Sequence, residues 1–383
     1  MGSITSSTGR KFIIAIDEWD CILREFKDKD AWQKKYLDFL RYLFKDQAHI
    51  ALVYMTGILP IKKYGTHSAL NMFDEYSMLG ADPFTEFIGF TENEVLDLCK
   101  TYKRYFLEFK RWYDGYQVGS FTSIYNPRSV NCCISTGEFK TYWNNTETYE
   151  ALRLYISMAY EGLHDAITLL LANGSVPVNT ATFTNDMKTF HSMEDILTLL
   201  VHLGYLSFDR SHGCVRIPNS EIAQEFVTAI QNGGWSKVVQ AIKNSETLLF
   251  ALLNGDSKTV AKGIEEAHEE MSFLQYNDEN ALAYTIALAF FAARQWYTMV
   301  REFPTGKGFA DLVFLPRPNT PYPALCIELK WNKGAHAALA QILARNYPAS
   351  LIALRGSVVL AGITYDKKSK HHSCVIMLDR EPC

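Results

Sequence analysis

The sequence predicts a multidomain α/β protein with a parallel sheet near its N-terminus, a mostly helical middle and a C-terminal α/β domain. Three observations predict this order: a strand–helix–strand pattern at the start, helical periodicity in the middle and a charged hairpin pattern near the end. With 383 residues, the chain is long enough for two or three domains that each bury a core. Its 48% hydrophobic, 13% aromatic and 21% charged residues are ordinary for a soluble globular protein.

The N-terminal segment predicts a βαβ unit. RKFIIAIDEWD (Arg10–Asp20) is a compact apolar run followed by acids, which predicts a strand. Apolar residues at helical spacing follow in Ala31–Gln47, and HIALVYMTGILP then predicts a second strand that ends at Thr56 and Gly57. A strand, a helix and a strand joined by short connections imply parallel pairing of the two strands.

The middle of the chain predicts helices and a small hairpin. Helical patterns run from about Glu94 to Trp112 and over most of residues 138–182, with turn-rich WYDGYQVG and IYNPRSV between them. MEDILTLLVHLGYLSFD, RSHGCVRIPN and SEIAQEFVTAIQN then predict helix, hairpin and helix. This order is typical of a winged-helix module, and a helical lid with a hairpin is the alternative. Gly233–Lys237 is the predicted boundary to the C-terminal domain.

The C-terminal part predicts a helix, a hairpin, a second helix and a final strand pair. NDENALAYTIALAFFAARQWY is too apolar for a surface helix. The hairpin GFADLVFLPRPNTPYPALCIELKW (Gly308–Trp331) follows, then the helix HAALAQILARNY and strands around SLIALRGSVVLAGITYD and HSCVIML. The predicted domains are therefore residues 1–118, 119–235 and 236–383.

Three charged residues converge in this hairpin. Asp311 and Glu328 are equidistant from the centre of the turn at Asn319–Thr320, so a simple antiparallel register places them opposite each other. Glu328 and Lys330 are two residues apart and share one face of their strand. Opposed carboxylates repel each other, which raises a pKa unless a cation lies between them.

Such a cluster suits metal-assisted hydrolysis of a phosphodiester. Oxygen-only ligands favour Mg²⁺ or Mn²⁺, which bind one or two carboxylates together with waters and phosphate oxygens. A lysine beside the metal can orient or deprotonate the attacking water and stabilise negative charge on the phosphorus centre. The alternative, on the pattern alone, is a salt-bridge cluster of Asp311, Glu328 and Lys330 at the end of a sheet.

This segment resembles the nuclease domain of the PD-(D/E)XK superfamily, and more closely that of a bacterial family that joins an AAA-ATPase-like domain to such a nuclease. The matching motifs are G-x-G-x-x-D, E-L-K and a helix with Q-I and a tyrosine, here Gly306, Gly308, Asp311, Glu328, Lys330, Gln341 and Tyr347. The resemblance implies a restriction-endonuclease-like α/β fold. It also implies that Asp311 and Glu328 are metal ligands, that Lys330 is the catalytic lysine and that Gln341 is an active-site helix residue.

Further residues are candidates for the same site. The superfamily often adds an acid from the helix before the hairpin, which makes Glu279 a candidate metal ligand; the alternative is a first-turn glutamate favoured by the helix dipole. Glu302 is a weaker acidic candidate. Four cations either line a phosphate path or are solvated surface charges: Lys307, Arg317, Lys333 and Arg345.

The N-terminal segment resembles part of a P-loop-type, AAA-ATPase-like domain. FIIAIDEWD resembles a Walker B strand, which would give Asp17 and Glu18 roles in Mg²⁺ binding and water activation, with Thr56 as a polar sensor. WYDGY, YNPRS and YWNNT resemble other landmarks of the family. The alternative is that the two acids are simply solvated at a strand end.

The sequence contains no G-x-x-x-x-G-K-[ST] motif, which makes ATP a doubtful cofactor. We expect either truncation or natural loss of the P-loop, which leaves a partial parallel sheet. A missing strand would expose an apolar sheet edge that favours self-association or a partner chain.

The expected function is Mg²⁺- or Mn²⁺-dependent cleavage of DNA, with RNA left open. The alternatives are an inactive nucleic-acid-binding or regulatory protein and a metal-independent scaffold. A net charge of −4 argues against coating nucleic acid by bulk charge, although a local basic groove stays open. The sequence has no apolar run of about 18 residues that would predict a membrane partner. Eight cysteines without a CxxC pair indicate reduced thiols and a cytoplasmic location.

Overall fold

The computed structural model describes residues 1–26, 28–58, 70–143, 148–183, 190–231, 235–270, 279–305, 308–318, 320–345, 351 and 357–379. The chain divides into two compact units, one of residues 1–163 and 175–226, the other of residues 164–174 and 227–383. The second unit contains the whole of the predicted C-terminal domain. The predicted boundary at residue 118 lies inside the first unit, and the three-domain division stays a prediction.

The described residues form both helices and strands in each unit. Up to residue 230 they are α1 (Gly2–Thr8), β1 (Phe12–Ile16), α2 (Cys21–Glu25), α3 (Asp30–Phe44), β2 (Ile50–Met55), β3 (Phe90–Thr91), α4 (Glu92–Thr101), α5 (Phe106–Tyr113), β4 (Tyr116–Val118), β5 (Phe121–Tyr125), α6 (Pro127–Thr136), α7 (Thr148–Ile156), α8 (Leu163–Leu171), β6 (Val176–Pro177), α9 (Met193–His202), β7 (Ser207–Asp209), β8 (Cys214–Arg216) and α10 (Ser220–Ile230). Beyond it they are α11 (Ser236–Leu253), α12 (Ser257–Glu270), α13 (Glu279–Ala289), β9 (Tyr297–Thr305), β10 (Gly308–Pro316), β11 (Ala324–Trp331), α14 (Ala335–Ala344), β12 (Val358–Asp366) and β13 (His371–Asp379).

The predicted parallel pairing is present in the first unit. β1 pairs with β2 in parallel, and α2 and α3 lie between them in the chain, which confirms the βαβ order. Leu37 and Leu40 of α3 are buried in the core of this sheet. The alternate residues Ile13, Leu52 and Tyr54 are exposed. A P-loop-type fold for this sheet stays a prediction.

Two turn-rich segments of the middle region contain regular structure that the sequence analysis missed. β4 and β5 form an antiparallel pair, and β5 also pairs with β3. α6 begins directly afterwards, because Asn126 accepts a hydrogen bond from the backbone of Ser129 and Pro127 occupies the first helical position. The predicted helix, hairpin and helix are α9, β7–β8 and α10, and β6 adds a third strand. The winged-helix assignment stays a prediction.

The second unit is built on a five-stranded mixed sheet. Its strand order is β13-β12-β11-β10-β9, with β11 and β12 parallel and the other neighbours antiparallel. Helices α11, α12 and α13 share a hydrophobic core with one side of the sheet. Leu339 and Ile342 of α14 pack with residues of the sheet in a second core. The two cores make the predicted α/β arrangement of this part of the chain.

The structure confirms the predicted buried helix α13 but places an additional strand between it and the hairpin. Eight of the eleven residues of α13 are buried, which confirms that this helix is too apolar for a surface. The predicted order, with the hairpin directly after α13, is wrong, because β9 lies between them and pairs with β10. β9 was missed because Arg301 and Glu302 interrupt its apolar pattern and because Pro304 argues against a strand, although β9 lies at the edge of the sheet, where a proline is tolerated.

Gly362 allows α14 to approach β12 closely. A Cβ atom at this position would lie 2.3 Å from the carbonyl oxygen of Ala335 and 2.9 Å from the backbone nitrogen of Leu339. Gly362 is the residue of β12 opposite Glu328. The helix therefore packs against the sheet directly beside the charged hairpin. Across the described part of the chain, no helix is both long and apolar enough to cross a membrane.

Candidate active site

The charged hairpin has the register that its sequence predicts. Leu312 lies opposite Ile327 and Val313 opposite Cys326, so the next step along the ladder brings Asp311 to Glu328. The carboxylate of Asp311 accepts a hydrogen bond of 2.7 Å from the backbone nitrogen of Leu329. Backbone pairing of the two strands thus brings the two acids together.

Glu328 is fully buried, and only one of its two carboxylate oxygens has hydrogen-bond partners among the described residues. Its Oε1 atom accepts a hydrogen bond of 3.2 Å from the ammonium of Lys330 and another from the side-chain amide of Gln341. Its Oε2 atom is buried and has no hydrogen-bond partner among the described residues. Burial first, and the charge of Asp311 second, raise the pKa of Glu328 to about 7, while Lys330 acts in the opposite direction.

Asp311 has a related electrostatic environment. Burial raises its pKa, and the charge of Glu302 adds to this rise, while the Leu329 hydrogen bond and the charges of Lys330 and Arg345 oppose it. Glu302 belongs to β9, in which the recorded pairs run from Phe303 opposite Ala310 to Arg301 opposite Leu312. The same register therefore sets Glu302 level with Asp311. Three adjacent strands contribute one acid each to this line across the sheet.

Lys330 connects the hairpin to α13. Its ammonium donates to the carbonyl oxygen of Leu329 at 2.9 Å and lies 3.9 Å from the carboxylate of Glu279. Its side chain is 12% exposed, so the ammonium lies at the edge of solvent. Glu279 is the first residue of α13 and is half exposed. The sequence-predicted residues Glu279, Glu328, Lys330 and Gln341 are therefore joined by direct contacts.

A cleft of about 450 Å³ opens beside these residues. Its lining contains Glu279, Asn280, Ala283, Arg301, Glu302, Asp311, Leu329 and Trp331. Asn280, Arg301 and Trp331 were not predicted as site residues from the sequence. Trp331 stood at the end of the hairpin motif and Arg301 beside Glu302, so proximity to the predicted acids was the signal that could have found them.

The donor set fits a divalent metal ion. Asp311 and Glu328 provide carboxylate oxygens. The buried Oε2 atom of Glu328 has no hydrogen-bond partner among the described residues, and a bound ion would supply one. Within the described ranges, no group of three or more His, Cys, Asp and Glu residues is arranged to hold a metal ion. Two carboxylates are sufficient for Mg²⁺, which keeps several waters and binds substrate phosphates.

Comparison with known families supports the same part of the chain. Residues 277–373 match the family model described as the PD-(D/E)XK nuclease superfamily. These residues form a PD-(D/E)XK nuclease superfamily domain. The superfamily generally comprises metal-dependent nucleases, which act on phosphodiesters. No curated protein and no solved structure gave a significant match. The match leaves out residues 1–276, so their AAA-ATPase-like assignment stays a prediction.

The predicted phosphate-path cations do not all lie at the nuclease-superfamily site. Arg317 follows the far end of β10, about 20 Å along the strand from Asp311, and its guanidinium donates to the carbonyl oxygen of Tyr297. Arg317 is therefore bonded to the start of β9, and its assignment to a phosphate path stays a prediction. Arg345 is close enough to lower the pKa of Asp311, and Lys333 is exposed. Gly306, Lys307 and Tyr347 lie outside the described residues.

The Walker B-like residues lie in the first unit, apart from the nuclease-superfamily domain in the chain. Thr56 donates a hydrogen bond of 2.5 Å to the carboxylate of Asp17, because the carboxyl ends of the parallel strands β1 and β2 meet at one edge. Glu18 is exposed and pairs with Arg24 at 3.1 Å. This arrangement agrees with a Walker B and sensor pair, whose roles stay predictions.

Two of the three aromatic landmarks contact a buried glutamate that was not predicted from the sequence. Glu221 of α10 is fully buried and accepts hydrogen bonds from the hydroxyl of Ser129 and the backbone nitrogen of Tyr142. Asn219 donates to the carbonyl oxygen of Asp114. YNPRS and the described start of YWNNT therefore contact α10, and WYDGY contacts the residue that precedes it.

We expect the affinity of the site for Mn²⁺ to rise with pH. Metal-free Glu328 has a pKa raised to about 7, and a metal ion must displace its proton. Below this pKa the affinity should increase about tenfold per pH unit, and above it the increase should level off. In the metal-free protein the folded state keeps this proton longer than the unfolded state, so the contribution of Glu328 to stability falls as pH rises towards 7.

Calorimetric titration of Mn²⁺ across this pH range measures the slope. The Glu328→Gln variant is the control, because it cannot release the proton and should lose both affinity and slope. An affinity of the intact protein that is independent of pH on both sides of neutrality would contradict the assignment of Glu328 as a ligand.

Proposed function

We propose that the C-terminal domain hydrolyses DNA phosphodiester bonds with a bound Mg²⁺ or Mn²⁺ ion. The observation that supports this most directly is the buried, unpartnered Oε2 atom of Glu328 beside the carboxylate of Asp311. In a protein interior such an atom is unfavourable unless a ligand satisfies it. A cation bound by both carboxylates supplies that partner and, when present, polarises the phosphate and lowers the pKa of a bound water.

Each protein side chain has a distinct task in this proposal. Asp311 and Glu328 hold the ion, and Glu279 contributes a third carboxylate at the solvent side. Gln341 fixes the orientation of Glu328 through Oε1 and leaves Oε2 for the ion. Lys330 is oriented by Glu328 and by the Leu329 carbonyl. Its ammonium orients the attacking water and stabilises the negative charge that develops on the phosphate oxygens.

The first unit has a regulatory role in this proposal. Asp17 and Thr56 are in contact, as expected for a Walker B strand and its neighbour. The sequence contains no P-loop motif whose backbone amides and lysine would bind the nucleotide phosphates. We therefore assign the unit an ATPase-like fold that regulates the nuclease. Among the described residues this sheet has only the strands β1 and β2, and an edge of it is the proposed site for self-association or a partner chain.

The test combines metal binding with plasmid nicking. The intact protein is expected to bind Mn²⁺ and to nick supercoiled DNA in Mg²⁺ or Mn²⁺ but not with a chelator. Asp311→Asn keeps the shape of the side chain and is expected to lose metal affinity and nicking together. Asp97→Asn is the matched control, because Asp97 is exposed on α4 and paired with Lys100.

The outcomes separate the alternatives. Metal binding without nicking of any DNA, together with chelator-resistant DNA binding, would favour an inactive nucleic-acid-binding or regulatory protein. A protein that binds no divalent ion would have only an ion-pair cluster at this position, and the proposal would be rejected.

A further inference from the structure

Arg301 is a cation held by neutral groups on the wall of an acidic cleft. Its guanidinium donates a hydrogen bond of 2.6 Å to the side-chain oxygen of Asn280 and lies 5.0 Å from the centre of the Tyr284 ring. The cleft is also lined by Glu279, Glu302 and Asp311. Among the described residues, none of these carboxylates forms an ion pair with Arg301. Its position is therefore fixed, while its charge is not neutralised by an acid in the described part of the chain.

Such an arginine is suited to bind a phosphate. The planar guanidinium presents several N–H donors that match two phosphate oxygens at once. Asn280 and Tyr284 orient it in advance, so that less side-chain entropy is lost on binding. An acid-lined cleft would otherwise repel a polyanion, and Arg301 offsets this repulsion next to Asp311.

Trp331 provides an aromatic surface in the same cleft. It is the last residue of β11, directly after Lys330. Adjacent residues of a strand point to opposite faces of the sheet. The indole is partly exposed, lines the cleft and lies 4.9 Å from the ring of Tyr365. Tyr365 is buried and contacts the rings of His268 and His372 at centroid distances of 5.0 Å and 4.9 Å. The indole is therefore supported from behind by a packed aromatic group.

We infer that this cleft binds a nucleotide of an unpaired strand, with Arg301 on its backbone phosphate and Trp331 stacked on its base. The inference rests on the proposed function for the identity of the substrate as nucleic acid. A base inside a duplex is already stacked on both faces and is not available to an indole, whereas an unpaired base is. The juxtaposition of a phosphate ligand and a stacking surface therefore favours a single strand or a frayed end over an intact duplex.

The experiment measures binding without cleavage. Fluorescence anisotropy compares a labelled oligothymidine with a hairpin duplex in a chelator, using the full-length protein. The intact protein is expected to bind the single strand at least about tenfold more tightly than the duplex. Trp331→Ala should weaken single-strand binding roughly 5- to 150-fold and leave duplex binding within about twofold, while Trp331→Phe should retain most of the affinity.

Arg301 is tested through the salt dependence of the same binding. Arg301→Gln should weaken single-strand binding and reduce the slope of log affinity against log salt by about 0.7, the value for one phosphate contact on a single strand. Arg301→Lys should restore the slope, because the charge is kept. The controls are Tyr102→Ala and Lys262→Gln, whose side chains are exposed outside the cleft. An oligouridine in parallel distinguishes RNA from DNA as the source of the strand.

The inference would be overturned by equal affinity for single strand and duplex, or by a Trp331→Ala variant that binds as the intact protein does. Failure to bind any nucleic acid would also overturn it. The proposed function fails separately. A protein that binds single strands through Trp331 but never cleaves them in Mn²⁺ would lose the nuclease proposal and keep this one.

Discussion

Replacing Lys330 by methionine is expected to slow DNA cleavage by about 100- to 10,000-fold, while Mn²⁺ still binds. Mn²⁺ binding should persist because Lys330 contacts only the Oε1 atom of Glu328, so the substitution leaves the unpartnered Oε2 atom available for the ion. Loss of the ammonium removes the group proposed to orient the water and to stabilise the transition state. Methionine retains the length of the stem, so packing beside Leu329 is preserved. Single-turnover cleavage at saturating Mn²⁺ measures the effect, and calorimetry measures the metal affinity.

The control for this change is Lys368→Met, because Lys368 is exposed in the turn between β12 and β13. It should cleave as the intact protein does. Lys330→Met with an unchanged cleavage rate would remove Lys330 from the chemistry. A parallel loss of metal binding would instead show that Lys330 acts only by maintaining the carboxylates.

Replacing Gly362 by alanine is expected to lower the free energy of unfolding by about 1–3 kcal/mol. The added methyl group would meet the backbone of α14 at Ala335 and Leu339, and backbone atoms cannot rotate away as a side chain can. Relief requires α14 to move off the sheet. Because Gln341 lies on this helix and donates to Glu328, Mn²⁺ affinity should fall together with stability. Urea unfolding measures the first effect and calorimetry the second.

Gly334→Ala is the matched control for this prediction. Gly334 precedes α14 with φ −66° and ψ 148°, a conformation open to any residue, and nothing lies within 4 Å of a Cβ atom built there. Its free energy of unfolding should change by less than about 0.5 kcal/mol. Equal stability of Gly362→Ala and Gly334→Ala would show that α14 tolerates displacement, and that close packing does not position Gln341.

The hairpin could be predicted from the sequence because local rules determine it. Asp311 and Glu328 are equidistant from a proline-rich turn, and the period of two in a strand then sets the face of Lys330. The long apolar run of α13 and the parallel pair β1–β2 follow from similarly local patterns. Each of these elements depends on residues that are close together in the chain or joined by one short connection.

The missed features depend on contacts that are distant in sequence. β9 was not recognised because its charged residues Arg301 and Glu302 belong to the cleft, which no local pattern indicates. Gly362 is an ordinary strand glycine until α14 is placed over it. Glu221 is buried because segments about 80 to 90 positions earlier in the chain satisfy its carboxylate. None of these partners could be identified without the tertiary structure.

The chain passes from the first unit to the second and back, which affects both its division into fragments and the order in which contacts form during synthesis. Residues 164–174 belong to the second unit, although residues 175–226 return to the first. The carbonyl oxygen of Leu171 accepts a hydrogen bond from Arg294, and the ring of His164 stacks on Trp235 at 4.1 Å. A fragment that begins at residue 227 would therefore lack a helix that its own unit uses. On the ribosome, Arg294 is synthesised 123 positions after Leu171, so this helix can make these contacts only after the intervening segment of the first unit has been made.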